Sequence, residues 1–529
     1  MIPHLRARPI GAAVLAGLVV GVIALGGVWG PSLWSDEAAT ISAATRSWAE
    51  LWAMFANIDL VHGLYYLGMH VWVSAFGTAP VALRLPSGLA IAGAGSCVWL
   101  IANRLRGRRF AWWSVAAFAL LPRVFWAGIE ARPYAFTVLI AAASTLALLR
   151  ALDTATGPTR HRIGRWAVYA LLSLIGVLAN VYLALLVVGH LVSICWDRQL
   201  SRRQRVEWLA AAGATGLVSV PFLAALARQS GQIGDHEIGL LVILRNVVVN
   251  QWFLGDTPTL TNGVAPTAIT LTNPATWWFP AAIIVTLLGW ALIAVGVWRD
   301  RFSLRGTPSA LSDRDRPALV WTLPWAVLPA IIIGGYSLLV SPMYGARYLT
   351  FATPAVAMLL VVGFSAIRPA VWRRAVAGAL VLAVLPIYVS QRMTDGKNGS
   401  DWAQVAEYLA HHARDGQGVY FTPTYAQNTP TVRQTSRGIA VAYPDAFRGL
   451  RDITLLRTPA EANTLAGESR SLDQSAAQLV GLDTVWMVRR NDYSTASAGA
   501  DEAFLATLGF KRVATVRVGA LDQVVRFDR

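Results

Sequence analysis

Charged residues are scarce in this chain of 529 residues. Asp, Glu, Lys and Arg make up 14% of it, whereas they make up about 25% of a typical soluble protein. Hydrophobic residues make up 55%, and the mean hydropathy is +0.49. Several apolar runs reach about 20 residues, the length that a helix needs to cross a bilayer core. The composition excludes an ordinary soluble protein and predicts a polytopic, mainly α-helical membrane protein.

Cysteine is nearly absent, and so are several signatures of chemistry. Cys97 and Cys195 both fall in or at the end of apolar runs, so they offer neither a disulfide framework nor a metal-ligand spacing. The polar C-terminal part contains no Gly-rich phosphate loop and no nucleophile elbow. Acids are almost missing from the apolar runs, where His190 is the main ionisable residue. This scarcity argues against an ion-coupled transporter, which needs buried charges along its path.

The net charge of +16 is carried mainly by arginines in short loops between the apolar runs. Such a distribution sets membrane topology, and no basic face with interleaved aromatic residues points to nucleic acid. We predict eleven membrane spans. They are roughly 11–30, 82–103, 110–129, 133–152, 166–181, 183–197, 208–228, 277–298, 317–340, 348–367 and 373–391. The arginine bias places the N-terminus in the cytoplasm and the loop 31–81 outside the plasma (inner) membrane.

The external loop 31–81 is amphipathic and rich in aromatic residues. Such a pattern is typical of helices that lie along a membrane interface, and we expect two, at about 36–55 and 62–77. A second external loop, 229–276, is predicted to be either a lid or binding surface or a solvated connector. After the last span, residues 392–529 alternate between strand and helix patterns. They predict a small extracytoplasmic α/β domain, which follows a transmembrane domain at 1–391.

Four ionisable residues in the first external loop are candidates for chemistry. Asp36 and Glu37 follow Trp34 and Ser35, where they could cap a helix or provide a general base. Asp59 and His62 lie three residues apart and would share a helix face, either as ordinary interfacial groups or as ligands of a phosphate or sugar. An Asp/Glu/His cluster could also hold a divalent metal, although no metal motif is present.

Two further segments carry polar residues on the same predicted membrane face. Glu130, Arg132 and Tyr134 lie at an external turn, and Arg347 and Tyr348 open a later span. Charges at a membrane edge can simply reach toward water. An arginine there can also grip a phosphate with two parallel hydrogen bonds. A lipid-phosphate substrate would need such cations together with the acidic pair on one face.

These segments together resemble a known family. The motifs are WSDEAA at 34–39, EARPYAF at 130–136 and RYL at 347–349. With the predicted topology, they resemble the C-type (GT-C) glycosyltransferase fold. The closest resemblance is to the protein O-mannosyltransferases, the aminoarabinose lipid A transferases and their bacterial relatives in family 39. The resemblance covers roughly residues 10–390, and 396–529 resembles the variable external domain of many bacterial members.

The resemblance implies inverting transfer of a sugar from a polyprenyl-phosphate donor to an acceptor on the extracytoplasmic face. Asp36 would be the general base, with Glu37 in support. His62 falls where many relatives read His-Pro-Pro-Leu near the donor phosphate, but this chain reads His-Gly-Leu-Tyr. Arg132, Tyr134 and Arg347 would line the donor site. The resemblance implies no cofactor, and it leaves open whether the protein uses a divalent metal.

The expected sugar is mannose, and the expected acceptor is an envelope glycan or lipoglycan. One alternative is transfer of arabinose or another pentose by the same fold. A second alternative is a transporter or flippase of lipid-linked sugars. A third is a non-catalytic membrane scaffold that presents residues 396–529.

Overall fold

The computed structural model describes residues 4–153, 159–229, 239–255, 277–304, 317–423, 436–491, 494–519 and 521–529. Helices make up most of residues 4–390. They are α1 (His4–Leu25), α2 (Ser35–Ala44), α3 (Trp48–Asn57), α4 (Gly63–Phe76), α5 (Pro80–Leu120), α6 (Pro122–Gly128), α7 (Tyr134–Leu152), α8 (Thr159–Ala179), α9 (Ala184–Trp196), α10 (Arg202–Ala227), α11 (Leu240–Arg245), α12 (Phe279–Leu304), α13 (Ala318–Leu339), α14 (Thr353–Ala366) and α15 (Ala370–Ser390).

Each predicted span corresponds to a helical segment of this bundle. Two of them, 82–103 and 110–129, fall largely in α5, which is interrupted at Arg106 and Gly107. Gly107 has φ +81°, a backbone conformation that favours glycine because it has no Cβ. Within the described ranges, eight helices are long and apolar enough to cross a membrane, with α5 counted once. The helical bundle is thus confirmed, and the exact number of crossings stays a prediction.

The first external loop folds into α2, α3 and α4, so the predicted helix at 36–55 is two helices. Ser47 lies between α2 and α3 and caps the start of α3. Its hydroxyl accepts the Glu50 backbone N–H, and the Glu50 carboxylate accepts the Ser47 N–H. A Ser with Glu three residues later is a capping box, and it forces a new helix start. Trp48 and Trp52 remain half exposed on α3.

The segment 229–276, predicted to be a lid, a binding surface or a solvated connector, is helical at residues 240–254. There, α11 is followed by a π-helix at Asn246–Leu254. Trp252, Phe253 and Leu254 are buried in the bundle, because this apolar run is too short to cross the bilayer but can still cover its core. The polar residues Asp235, His236, Glu237 and Asp256 of this loop lie outside the described residues.

The C-terminal region contains a five-stranded mixed sheet. The elements are α16 (Trp402–His412), β1 (Gly418–Thr422), α17 (Gly438–Ala442), β2 (Arg451–Asp452), β3 (Leu455–Arg457), β4 (Glu468–Ser469), β5 (Thr484–Arg490), α18 (Thr495–Thr507), β6 (Lys511–Arg517) and β7 (Asp522–Asp528). The strand order is β2-β1-β5-β7-β6. β1 pairs in parallel with β2 and β5, whereas β7 is antiparallel to both β5 and β6. The predicted α/β character of this region is confirmed.

The C-terminal region packs directly on the first external loop. Helix α17 lies against α2, and apolar residues of both regions share one buried cluster. The Tyr443 hydroxyl accepts the Leu33 N–H at 2.7 Å, and the Asn57 amide donates to the Asn463 carbonyl at 2.9 Å. The loop is therefore held between the membrane bundle and the sheet, and this position determines where its polar residues point.

Close contact between α12 and α14 gives a test of the bundle. A Cβ at Gly363 would overlap the backbone of Leu292, while a Cβ at Gly378 of α15 would meet nothing within 4 Å. We expect Gly363→Ala to cost about 1–3 kcal/mol, because backbone atoms cannot move aside as side chains do. Thermal unfolding in detergent should show this loss, with Gly378→Ala as the matched control. Equal melting temperatures for both variants would contradict this helix packing.

Candidate active site

The site is built at the first turn of α2. Trp34 precedes the helix in an extended conformation, and its carbonyl accepts the Ala38 N–H at 2.9 Å. Asp36 and Glu37 therefore both lie in the first turn, where the positive end of the helix favours carboxylates. Asp36 is 5% exposed and Glu37 is fully buried. Adjacent positions on a helix point about 100° apart, so the two acids meet different partners.

Glu37 forms a buried ion pair with Arg84 of α5. The guanidinium donates two parallel hydrogen bonds to the carboxylate, at 2.7 and 2.6 Å. The remaining N–H groups of Arg84 donate to the carbonyls of Val28, Pro31 and Ser32, at 2.9 to 3.1 Å. Arg84 thus ties the end of the first span to α2 and α5. The sequence alone does not indicate Arg84 as a site residue, because its partner is 47 residues away.

The same Glu37 carboxylate also reaches the turn between α6 and α7. Its Oε1 accepts the Ala131 N–H at 3.1 Å. With both oxygens occupied and no exposed surface, Glu37 fixes the position of α2 instead of contacting a substrate. Glu37 therefore supports its neighbour by holding the helix in place.

Asp36 pairs with Arg347, which approaches from the 3₁₀ segment Ala346–Ala352 before α14. The Arg347 Nη1 lies 3.0 Å from the Asp36 Oδ2. The guanidinium also lies over the rings of Trp34 and Tyr348, at 5.9 and 5.7 Å from their centres. Arg347 keeps 19% of its side-chain surface exposed, so a substrate can reach it.

Arg132 is positioned by a chain of two hydrogen bonds to residues of the first external loop. Its Nη1 donates to the Tyr66 hydroxyl at 2.8 Å, and that hydroxyl donates to the Asp59 Oδ2 at 2.5 Å. Asp59 adopts a left-handed backbone conformation with φ +61°, which is uncommon for a non-glycine residue. The His62 ring packs edge-on against Tyr66. Tyr66 was missed by the sequence analysis because tyrosines at an interface usually need no partner.

Burial lowers the pKa of His62 from 6.5 to about 4, because a buried imidazolium loses its hydration. The Arg132 guanidinium lowers this pKa further, while Asp59 and Asp36 oppose the shift. His62 is therefore neutral at physiological pH. Its Nδ1 has no hydrogen-bond partner among the described residues.

Aromatic rings form one side of the site. Tyr348 stacks on Tyr182, with ring centres 5.1 Å apart, and Tyr134 lies 6.1 Å from Tyr348 and 5.5 Å from Trp126. The Tyr134 hydroxyl and the Arg132 Nε are buried without a hydrogen-bond partner in the described part of the chain. Rings of this kind can face the apolar plane of a sugar or the start of an isoprenoid chain, and the free polar atoms can bind hydroxyl or phosphate oxygens.

Glu130 belongs to the supporting structure. Its Oε1 accepts the Trp34 indole N–H at 2.9 Å, and its Oε2 pairs with Lys397. Both side chains of that pair are essentially buried. Lys397 follows the last span and was not singled out from the sequence, because nothing in its local pattern differs from a surface lysine.

The structure brings the nine candidates together. Asp36, Arg347 and Arg132 form the charged centre of the site. His62, Tyr134 and Tyr348 surround this centre. Asp59, Glu37 and Glu130 support it through their hydrogen bonds. In the described part of the chain, no three His, Cys, Asp or Glu side chains are grouped to hold a metal ion. A carboxylate beside two arginines can take a proton from a hydroxyl while the cations bind an anionic leaving group.

Glu37→Gln tests the supporting ion pair. We expect a loss of about 3–5 kcal/mol in unfolding free energy, because the buried Arg84 loses its counter-charge. Glu468→Gln is the control, since its pair with the half-exposed Arg457 should contribute at most about 1 kcal/mol. Thermal melting in detergent measures both variants. Similar melting temperatures for the two would show that Glu37 does not anchor α2.

His62 predicts a pH dependence of stability. Its folded pKa of about 4 lies below the unfolded value of 6.5, so the unfolded chain binds the proton more tightly. Stability should therefore fall as the pH is lowered from 6.5 to 4, by about 3 kcal/mol in total at about 1.4 kcal/mol per unit. His62→Gln should remove this part of the slope, whereas His411→Gln, at an exposed position of α16, should not. A wild-type slope in His62→Gln would refute the assignment.

Comparisons with known proteins place the fold. No protein-family model matches the sequence, and no curated protein matches it. Apo ArnT from Cupriavidus metallidurans superposes with a TM-score of 0.55 at 14% identity, over 98% of this chain and 98% of that one. The apo oligosaccharyltransferase of Archaeoglobus fulgidus superposes with a TM-score of 0.51 at 11% identity, over 97% of this chain and 74% of that one. At such low identities the similarity concerns the fold, and it confirms that this chain has the polytopic fold of the C-type glycosyltransferases.

Proposed function

We propose that this chain is a membrane glycosyltransferase that uses a polyprenyl-phosphate sugar and inverts the anomeric centre. The observation that carries the proposal is the ion pair of Asp36 with Arg347, set in a C-type fold with Arg132 and His62 beside it. A carboxylate at a fixed helix end, next to cations and aromatic rings, suits transfer from a sugar whose leaving group is already a phosphate.

In the proposed reaction, Asp36 takes the proton of the acceptor hydroxyl. The hydroxyl oxygen then attacks the anomeric carbon and forms the new glycosidic bond. The bond from that carbon to the phosphate oxygen breaks at the same time, and the lipid phosphate leaves with the electron pair. Arg347 and Arg132 bind the phosphate oxygens as their charge increases. A general base of this kind typically contributes about 10²–10⁴-fold to the rate.

The donor lipid needs an apolar path beside this centre. A groove of about 200 Å³ lies between α8, α9 and α10, and nearly all of its lining surface is apolar. Val177 and Ala184 line it, and they flank Tyr182, whose ring stacks on Tyr348 at the site. The groove supports a hydrocarbon substrate, because a long isoprenoid needs apolar surface to bind to.

The sugar and the acceptor follow from the family resemblance. We propose mannose as the sugar and an envelope glycan or lipoglycan as the acceptor, with arabinose or another pentose as the alternative sugar. Catalysis is proposed to need no metal, since Asp36 can accept the proton and the arginines can bind the phosphate. Addition of a chelator to the transfer assay tests this directly.

The proposed topology puts the site outside the plasma (inner) membrane, with the N-terminus in the cytoplasm. At the opposite end of the bundle, Arg104 pairs with Asp153 and Arg106 pairs with Asp300. Those arginines belong to the loops whose positive charge predicts the cytoplasmic side. The C-terminal region lies on the extracytoplasmic side in this arrangement, because it packs on the loop that holds Asp36.

Asp36→Asn tests the proposal. We expect it to reduce transfer from labelled polyprenyl-phosphate mannose to an envelope lipid extract by about 10²–10⁴-fold, since the amide cannot accept the proton. Asp445→Asn, at an exposed position of the C-terminal region, is the matched control and should retain wild-type transfer. Melting curves in detergent verify that both variants fold.

The outcomes separate the alternatives. Equal transfer by wild type and Asp36→Asn would keep the enzyme and discard Asp36 as the base. Absence of transfer by the wild type with both mannose and arabinose donors would refute the transferase. Movement of labelled lipid across the membrane without product would instead identify a flippase.

A further inference from the structure

Lysine is the rarest cation in this chain, with two lysines against 43 arginines. Lys511 is exposed on the edge strand β6. Lys397 is only 2% exposed and lies in the segment between the last span and α16. A buried ammonium has lost its hydration, so it is retained only where an anion compensates it.

The segment that carries Lys397 lies against the residues that lead into α2. The Ser32 N–H donates to the Thr394 carbonyl at 2.8 Å, and the Ser400 hydroxyl donates to the Leu33 carbonyl at 2.7 Å. The Ser32 hydroxyl accepts the Ala403 N–H at 2.9 Å. These bonds on both sides of Lys397 fix its backbone next to Trp34, the residue that starts α2.

Lys397 acts on Trp34 through Glu130. Its ammonium pairs with the Glu130 Oε2 and lies 5.3 Å from the centre of the Trp126 ring. The other oxygen, Oε1, accepts the Trp34 indole N–H at 2.9 Å. A carboxylate held by a cation on one oxygen presents the other in a defined direction, and this direction fixes the rotation of the Trp34 ring.

The Trp34 ring in turn supports the charged centre. It lies under the guanidinium of Arg347, which pairs with Asp36 at 3.0 Å. Arg347 therefore has a flat aromatic surface that limits where its guanidinium can sit. A rotated Trp34 would release Arg347 and change the angle at which Asp36 meets an acceptor.

We propose that Lys397 is a positioning residue of the transferase: by holding Glu130 it fixes Trp34, and so the geometry of the Asp36–Arg347 pair. The proposal rests on the proposed function. It also assigns the segment after the last span a part in the active site, beyond its role as a connection to the sheet.

Glu130 faces charges from several elements. The cations are Lys397 and, from α5, Arg84, and the anions are Glu37 and Asp36 of α2. Burial raises the pKa of Glu130 to about 7, and Lys397 opposes this rise. Without Lys397 the pKa must rise further, so less of Glu130 is ionised at neutral pH, and full ionisation needs a more alkaline solution than in the wild type. A protonated Glu130 is a weaker acceptor for the Trp34 indole.

The experiment compares Lys397→Met, the double variant Lys397→Met/Glu130→Gln and the control Lys511→Met. Transfer of labelled sugar from polyprenyl-phosphate mannose, or from the arabinose donor if the wild type uses only that, is measured against pH. Initial rates give kcat and KM separately. Melting curves in detergent verify that each variant folds. Lys397→Arg, which keeps the charge, is included in case Lys397→Met does not fold.

We expect Lys397→Met to lower kcat by about 10–100-fold at neutral pH, the size of effect that a small misplacement of a reacting group produces. KM should change little, because Lys397 contacts no substrate. In this variant the rise of activity with pH should lie at higher pH than in the wild type. The double variant should lose this rise, because the introduced amide cannot titrate. Lys511→Met should match the wild type, and Lys397→Arg should keep the wild-type pH profile.

Several results would overturn the proposal. Wild-type kcat in folded Lys397→Met would exclude any positioning role. A loss of kcat with an unchanged pH profile, or a double variant that keeps the alkaline rise, would leave Lys397 as a purely structural residue. A pH profile of Lys397→Arg that shifts as far as that of Lys397→Met would show that charge at this position is not what matters. A wild type that transfers neither sugar would refute the proposed function, and the role of Lys397 with it.

Discussion

The ion pair between Glu37 and Arg84 is the contact on which the rest of the site depends. Two opposite charges without exposed surface are stable only when every remaining polar group is bonded, and here Arg84 also binds three carbonyls that end the first span. This arrangement fixes α2 at the top of α5. Glu37, the residue that follows Asp36, is anchored by this ion pair. Asp36 therefore has a defined position, although the loop that carries it lies outside the bundle.

Three separate parts of the chain supply the groups around Asp36. Arg132 comes from the turn between α6 and α7, Arg347 from the segment before α14, and Lys397 from the segment after α15. Arg347 pairs with Asp36 and Arg132 with the Tyr66 hydroxyl, whereas Lys397 pairs with Glu130. The site thus combines two arginines at its charged centre with a lysine that holds a supporting carboxylate. The C-terminal region covers this arrangement by packing helix α17 on α2.

Most of the fold could be predicted because apolar length and arginine placement are local properties. The apolar helical segments and the helices of the first external loop appear at or near their predicted positions, and the C-terminal region has the predicted mixture of strands and helices. The break at Ser47 and the helical segment 240–254 were missed for different reasons. The first needed the capping box to outweigh a continuous amphipathic pattern. The second is an apolar run too short to cross a membrane, and only contacts with the bundle decide whether such a run folds as a helix.

The sequence by itself determined which residues could do chemistry, because Asp36, Arg132 and Arg347 stand out as charges at the ends of apolar segments. Tertiary structure alone decided their roles. It turned the two neighbouring acids in different directions, so that Glu37 meets Arg84 and Asp36 meets Arg347. It also recruited Tyr66 and Lys397, whose partners are seven and 267 residues away. Ion pairs form by distance in space, and a sequence shows the charges without showing which of them will meet.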